Sequence, residues 1–100
     1  MPKQNWLVED NLVALYIALH NYKGLNYDLE KIKKIISHSG FSMRIENFRA
    51  IRTEGKEGLN AGLKSPLFNE LYNIFESFER GKFASLVNLI LKVKSEITGD

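Results

Sequence analysis

Ser37–Arg52 reads SHSGFSMRIENFRAIR. One apolar-periodic segment closes at Gly40, and a second begins just after it with three arginines and an apolar stripe of its own. Two architectures compete for this stretch. It is either the reading head of a helix-turn-helix, or two core helices with a solvated basic edge.

The second segment reads as a helix from about Ser42 to Thr53, with Ser42 as its N-cap. Ile45, Phe48 and Ile51 fall on its inward face; Met43, Glu46, Asn47 and Ala50 fall outward, with Arg44, Arg49 and Arg52 on the flanks. The first segment reads as a helix from about Leu29 to His38. Its buried stripe is Leu29, Ile32, Ile35 and Ile36, and Lys31, Lys33 and Lys34 lie mostly outside that stripe. Gly40 is expected to supply the positive φ of a tight exit.

Three more helices are legible further out, and no stretch alternates with period two. The opening helix, Leu7 to His20, is apolar on every face, as a central or interface helix is. Glu9 and Asp10 in its first turn suit the positive end of the helix dipole. Gly24 is its stop signal, and Asn26 or Asp28 is placed to cap the next helix. EGKEGLNAGLK (54–64) reads as a glycine-bearing loop. Ser65 and Pro66 then open a fourth helix whose Leu67, Phe68, Leu71, Tyr72, Phe75 and Phe78 make one broad apolar face, broken at Gly81. A fifth runs from Phe83 to Ile97. Phe83, Leu86, Ile90, Val93 and Ile97 form a heptad-like seam, read as core packing in preference to coiled-coil pairing; if the chain is a homodimer and not a monomer, the exposed remainder of the first or fifth helix is the expected interface. The expected fold is all-α: a single five-helix domain over residues 1–100, with the first helix as central strut, the second and third as a helix-turn-helix-like unit, and the last two beneath it.

The chain has 100 residues, 44% hydrophobic and 26% charged, which suits one globular domain. It holds no cysteine, so it has no disulfide framework and no thiolate metal site. The first ten residues, MPKQNWLVED, lack the order of a signal peptide, and no apolar run is long enough to span a bilayer. A soluble cytoplasmic protein is expected, with no membrane partner. Net charge is only +2, but eight basic residues and three acids between Lys31 and Lys64 net +5, leaving −3 over the rest. A basic middle between acidic ends is a charge asymmetry that suits a polyanion-facing surface.

Catalytic chemistry finds little support. His20 and His38 stand at the ends of different helices, where the negative dipole end accounts for them. GKEGLNAG follows a helix and lacks the GK[ST] of a phosphate loop, and metal-site spacings are missing. No enzyme activity, cofactor or metal is expected. Double-stranded DNA is the expected partner, with Lys31, Lys33, Lys34, Arg49 and Arg52 on phosphates and Ser42, Met43, Glu46 and Asn47 nearest the bases. Each has a plainer reading beside it: Asn47 as a brace for the turn, the lysines as ordinary surface charge, and Glu46 as a repeller of phosphate.

Trp6, Glu9, Leu12, Ala14, Leu15 and Tyr16, then Gly40, Ser42, Arg44, Ile45, Asn47 and Phe48, then Gly58 and Leu59, follow one another in an order that resembles the N-terminal helical domain of HNH-type restriction endonucleases. The likeness runs from about Trp6 to Phe75 and is strongest around RIENF. In this chain the spacing from Ser42 to Arg44 is shorter than in that family. The resemblance implies a DNA-handling module of a restriction or mobile-element protein, and it does not imply cleavage, since the nuclease part has no counterpart in these residues. The rival reading is a small phage or plasmid protein-interaction module that inhibits a host defence enzyme. It is motivated by the low net charge, by Glu46 in the reading face and by the apolar first and fifth helices.

Overall fold

The computed structural model describes residues 8–37, 40–56 and 66–98. These residues form five α-helices and no strand: α1 Val8–His20, α2 Leu29–Ile35, α3 Phe41–Arg52, α4 Pro66–Phe75 and α5 Arg80–Thr98. The all-α architecture expected from helical periodicity is the one observed. Trp6, Leu7, His38, Gly58, Leu59 and Ser65 lie outside the described residues.

The first helix is the strut. Every residue from Asp10 to Ala18 is buried, so its all-round apolar sequence meets neighbours on every side. α3 packs along it and α5 covers another face. Contacts fix the directions. The Arg44 guanidinium donates to Asn11 Oδ1 at 3.4 Å near the start of α1, so α3 runs parallel to α1. Lys94 Nζ lies 2.9 Å from Asp10 Oδ1, and the Phe83 ring stands edge-on to Tyr16 with centroids 5.1 Å apart, so α5 runs antiparallel. α4 joins through Phe68, whose ring lies 4.8 Å from Phe48 and 5.2 Å beneath the Arg44 guanidinium.

α1 stops at Asn21, before Gly24. Asn21 takes the left-handed conformation (φ 56°) and its N–H donates to the Ile17 carbonyl at 2.8 Å. Gly24 serves the next turn. Its φ is +79°, and a Cβ there would lie 3.2 Å from Ala84 Cβ and 2.9 Å from Arg80 Nη1, so the absence of a side chain lets the connection lie against α5. Asn88 of α5 clamps that connection from both sides. Its Nδ2 donates to the Gly24 carbonyl at 3.0 Å, and its Oδ1 accepts from the Asn26 N–H at 2.9 Å. The Tyr16 hydroxyl donates to the Lys23 carbonyl on the same turn. Asp28, one of the two residues expected to cap α2, does so by accepting from the Lys31 N–H at 2.9 Å.

Several local expectations change. α2 ends at Ile35, short of His38, and Ile36 packs into the core just past its end. α3 starts at Phe41 with Gly40 as its cap residue. Gly40 has φ −88°, so it makes no left-handed exit, and no side chain caps the helix. The reason is that the Gly40 carbonyl already accepts from the Arg44 N–H at 3.0 Å while Phe41 is buried, which starts the helix one residue before Ser42. Ala50 is fully buried rather than outward, because α1 and α4 flank α3 and narrow its outward face.

Gly81 does not break the fourth helix. α4 ends at Phe75, the Phe78 N–H turns back to the Phe75 carbonyl at 3.1 Å, and the Glu79 carbonyl opens α5 by accepting from Phe83 at 3.0 Å. Gly81 falls in the first turn of α5. The heptad-like seam is core only in its first part: Phe83 is buried, and Leu86 and Ile90 are half-buried against the core. The buried line of α5 is Phe83, Ala84, Val87 and Leu91, whereas Val93 is 45% exposed and Ile97 79%. A straight helix turns 3.6 residues at a time, so its buried line leaves a 3.5-residue seam as it lengthens.

α2 packs on α5, and α3 on α1 and α4; any direct packing of α2 on α3 is minor beside these. The helix-turn-helix-like unit expected from the sequence is not established by this arrangement.

Candidate functional site

The residues expected to meet DNA fall into three groups. Ser42 and Met43 are exposed on the first turn of α3. Glu46 and Arg49, one turn apart, pair with each other across the partly exposed surface, so Glu46 neutralises the charge expected on phosphate. Asn47 is half-buried, and its Oδ1 is shut away from solvent without a hydrogen-bond partner. A bidentate grip on adenine needs that oxygen, so in this conformation Asn47 offers only its amide N–H groups. Arg44 is a packing residue. Its guanidinium lies over Phe68 and reaches Asn11, and burial lowers its pKa.

On α2, Lys33 and Lys34 are exposed and Lys31 is half-buried. α2 packs mainly on α5, whereas α3, which carries Arg49 and Arg52, packs mainly on α1 and α4.

The arginines at the end of α3 meet a different set of cations. α1 and α3 end together, α5 begins beside them, and the α1–α2 connection crosses the same end of the molecule. His20, the last residue of α1, is the centre. Its pKa is lowered first by burial and then by the charges of Arg80, Arg52 and Lys23. Its ring lies 5.1 Å from Tyr16 and 6.4 Å from Phe83, and its Nε2 is buried with no hydrogen-bond partner. Two tyrosines border the group. Burial raises the pKa of Tyr22 and the Arg49 charge partly offsets this; burial and then Glu76 raise that of Tyr72, against the pull of Arg52. Lys23, Arg52 and Arg80 are exposed and make no ion pair among the described residues.

Lys23, Arg52 and Arg80, from three separate elements, thus share one end of the molecule with two tyrosines. Lys23 and Arg80 were not among the residues expected to bind. They lie far apart in the chain, and the seating of Gly24 against Ala84 and Arg80, with the Asn88 clamp on the same connection, joins them. Gly24 was legible in the sequence only as a helix stop, which does not reveal its seat against α5. Among the described residues, no three His, Asp or Glu side chains are grouped to hold a metal ion, and no helix is long and apolar enough to cross a membrane.

No protein family, curated protein or solved structure matches the chain.

Proposed function

We propose that the chain is a non-catalytic DNA-binding module that grips the phosphate backbone with its basic end. The observation that carries this reading is the convergence of Lys23, Arg52 and Arg80 around His20, with Arg49 beside Tyr22. Side-chain cations that converge without ion-pair partners among the described residues, next to aromatic rings, are the ordinary equipment for a nucleic-acid phosphate track. The base-reading role assigned to Ser42, Met43, Glu46 and Asn47 is the weaker half. Glu46 is held by Arg49 and the Asn47 oxygen is turned inward, so sequence discrimination is low and affinity is set by phosphates. Lys31, Lys33 and Lys34 act as a secondary contact set. The resemblance to the N-terminal domain of HNH-type restriction endonucleases points the same way and suggests a restriction or mobile-element setting.

The test is fluorescence anisotropy of a labelled duplex titrated with the protein at several salt concentrations. With about three phosphates neutralised, the log–log salt slope is roughly −2.7, so affinity falls about 40-fold between about 50 and 200 mM salt. Arg52→Ala/Arg80→Ala is expected to flatten that slope by about 2, and Lys33→Ala/Lys34→Ala to change it less. Absence of binding at the lowest salt, or a double variant that binds like the wild type, would overturn the reading.

A further inference from the structure

The outermost line of α5 is Lys82, Leu89 and Glu96, spaced seven residues apart and all exposed. It stands opposite the buried line of Phe83, Ala84, Val87 and Leu91. Leu89 is 58% exposed and Val93, one turn after it, 45%; Leu86, one turn before it, is half-buried against the core and reaches the edge of this face. An apolar strip on an outward helix face, bounded by opposite charges at its two ends, is what an association surface presents. We propose that this face pairs with α5 of a second copy, antiparallel, about a two-fold axis passing at Leu89.

The charge order selects both the occupant and the direction. Lys82 and Glu96 lie seven residues on either side of Leu89, about 10 Å along the helix each way. Rotation about an axis at Leu89 sets Lys82 opposite the partner's Glu96 and Glu96 opposite the partner's Lys82. Leu89 then meets its own symmetry mate, and Val93 lies level with the partner's Ser85. Lys92 lies level with the partner's Leu86, which its methylene stem can cover while the ammonium stays in water. Parallel pairing would set Lys82 against Lys82 and Glu96 against Glu96, two like-charge contacts with nothing to offset them. An isologous contact of this kind closes on itself and makes a dimer, not a filament. One helix face per protomer falls below the standard interface size, so the dimer is weak, with Kd on the order of 10–100 µM.

Sedimentation equilibrium of the whole chain from about 5 to 500 µM reads this directly, across the range that so small an interface implies. The expected result is a weight-average mass rising with concentration from 11.5 kDa towards twice that value. Leu89→Glu should hold the chain monomeric throughout. Lys82→Glu alone and Glu96→Lys alone should each weaken association at least tenfold, and a mixture of the two variants should recover it, because each then supplies the charge the other lacks. The substituted side chains are on the surface, and circular dichroism verifies that each variant is folded. A chain that stays monomeric at the highest concentration overturns the proposal and leaves this face to a different partner. Dimers indifferent to Leu89→Glu overturn it too, as does a mixture that fails to recover.

Discussion

Asp10 sits in the first turn of α1, where its sequence position suggests a surface carboxylate favouring the helix dipole. It is instead buried and paired with Lys94 of α5, and the neighbouring Asn11 is buried beneath Arg44 of α3. Two adjacent polar residues therefore tie the start of α1 to both its neighbours. Breaking a buried pair on one side strands a charge, which costs far more than removing both partners. Asp10→Ala is expected to destabilise the fold by about 3 kcal/mol, and Asp10→Leu/Lys94→Met by much less, in urea unfolding of both variants. Glu54 is the opposite case, a residue tolerated where another fits better. It holds φ 56° at the end of α3, its N–H reaching the Ile51 carbonyl at 3.3 Å and that of Gly55 the Ala50 carbonyl at 2.8 Å. These are the paired bonds of a Schellman turn, whose left-handed position favours glycine. Glu54→Gly is expected to raise stability by about 0.5–1 kcal/mol, read as a higher Tm in a thermal melt.

At the scale of the helix, α3 and α5 each depart from their sequence reading, for different reasons. α3 is flanked by both α1 and α4, so Ala50, read as outward, is buried and the outward face narrows to Ser42, Met43 and the Glu46–Arg49 pair. α5 keeps Phe83, Leu86 and Ile90 of its heptad-like seam against the core and turns Val93 and Ile97 out. Its periodicity was legible, but which residues of an apolar helix face inward depends on where α1 and α2 press on it. The self-pairing predicted for α5 belongs to this scale: it needs only the outward line of one helix and its own rotated copy. Asn88 shows what helix-level reading misses altogether. A polar residue within an apolar helix spans from α5 to the α1–α2 connection and satisfies a carbonyl and an N–H that are remote in the chain.

The basic end belongs to the whole molecule, since α3, α5 and the Gly24 turn each bring cations to it around His20 of α1. DNA affinity that falls with Arg52→Ala/Arg80→Ala is predicted at this scale, and so is the pH response of stability. His20 has a folded pKa below its ordinary 6.5, mainly through burial and then through Arg80, Arg52 and Lys23. The unfolded chain therefore binds the proton more readily than the folded one. Stability from this group is complete above about 6.5, declines as pH falls below it, and levels off once pH passes the lowered folded value. Thermal melts between pH 5 and 8 are expected to show a Tm that drops towards the acid side in the wild type, with a shallower drop in His20→Gln. Equal slopes in the two proteins would count against the placement of His20 beneath the cations.

The spacing of apolar residues sufficed for the helix class, the number of helices and the all-round apolar character of α1, because each depends on residues near one another in the chain; of the two candidate caps, Asn26 and Asp28, the structure selects Asp28. RIENF was legible as a helix with Ile45 and Phe48 inward, and Arg49 and Arg52 as surface cations at its end. Tertiary structure alone decided that Arg52 stands with Lys23 and Arg80 around His20, and that the seam of α5 turns outward at Val93 and Ile97. Periodicity states which side of a helix is apolar. It carries no information on how that helix is rotated against its neighbours, and the assembly of charges at the end of a bundle follows from that rotation.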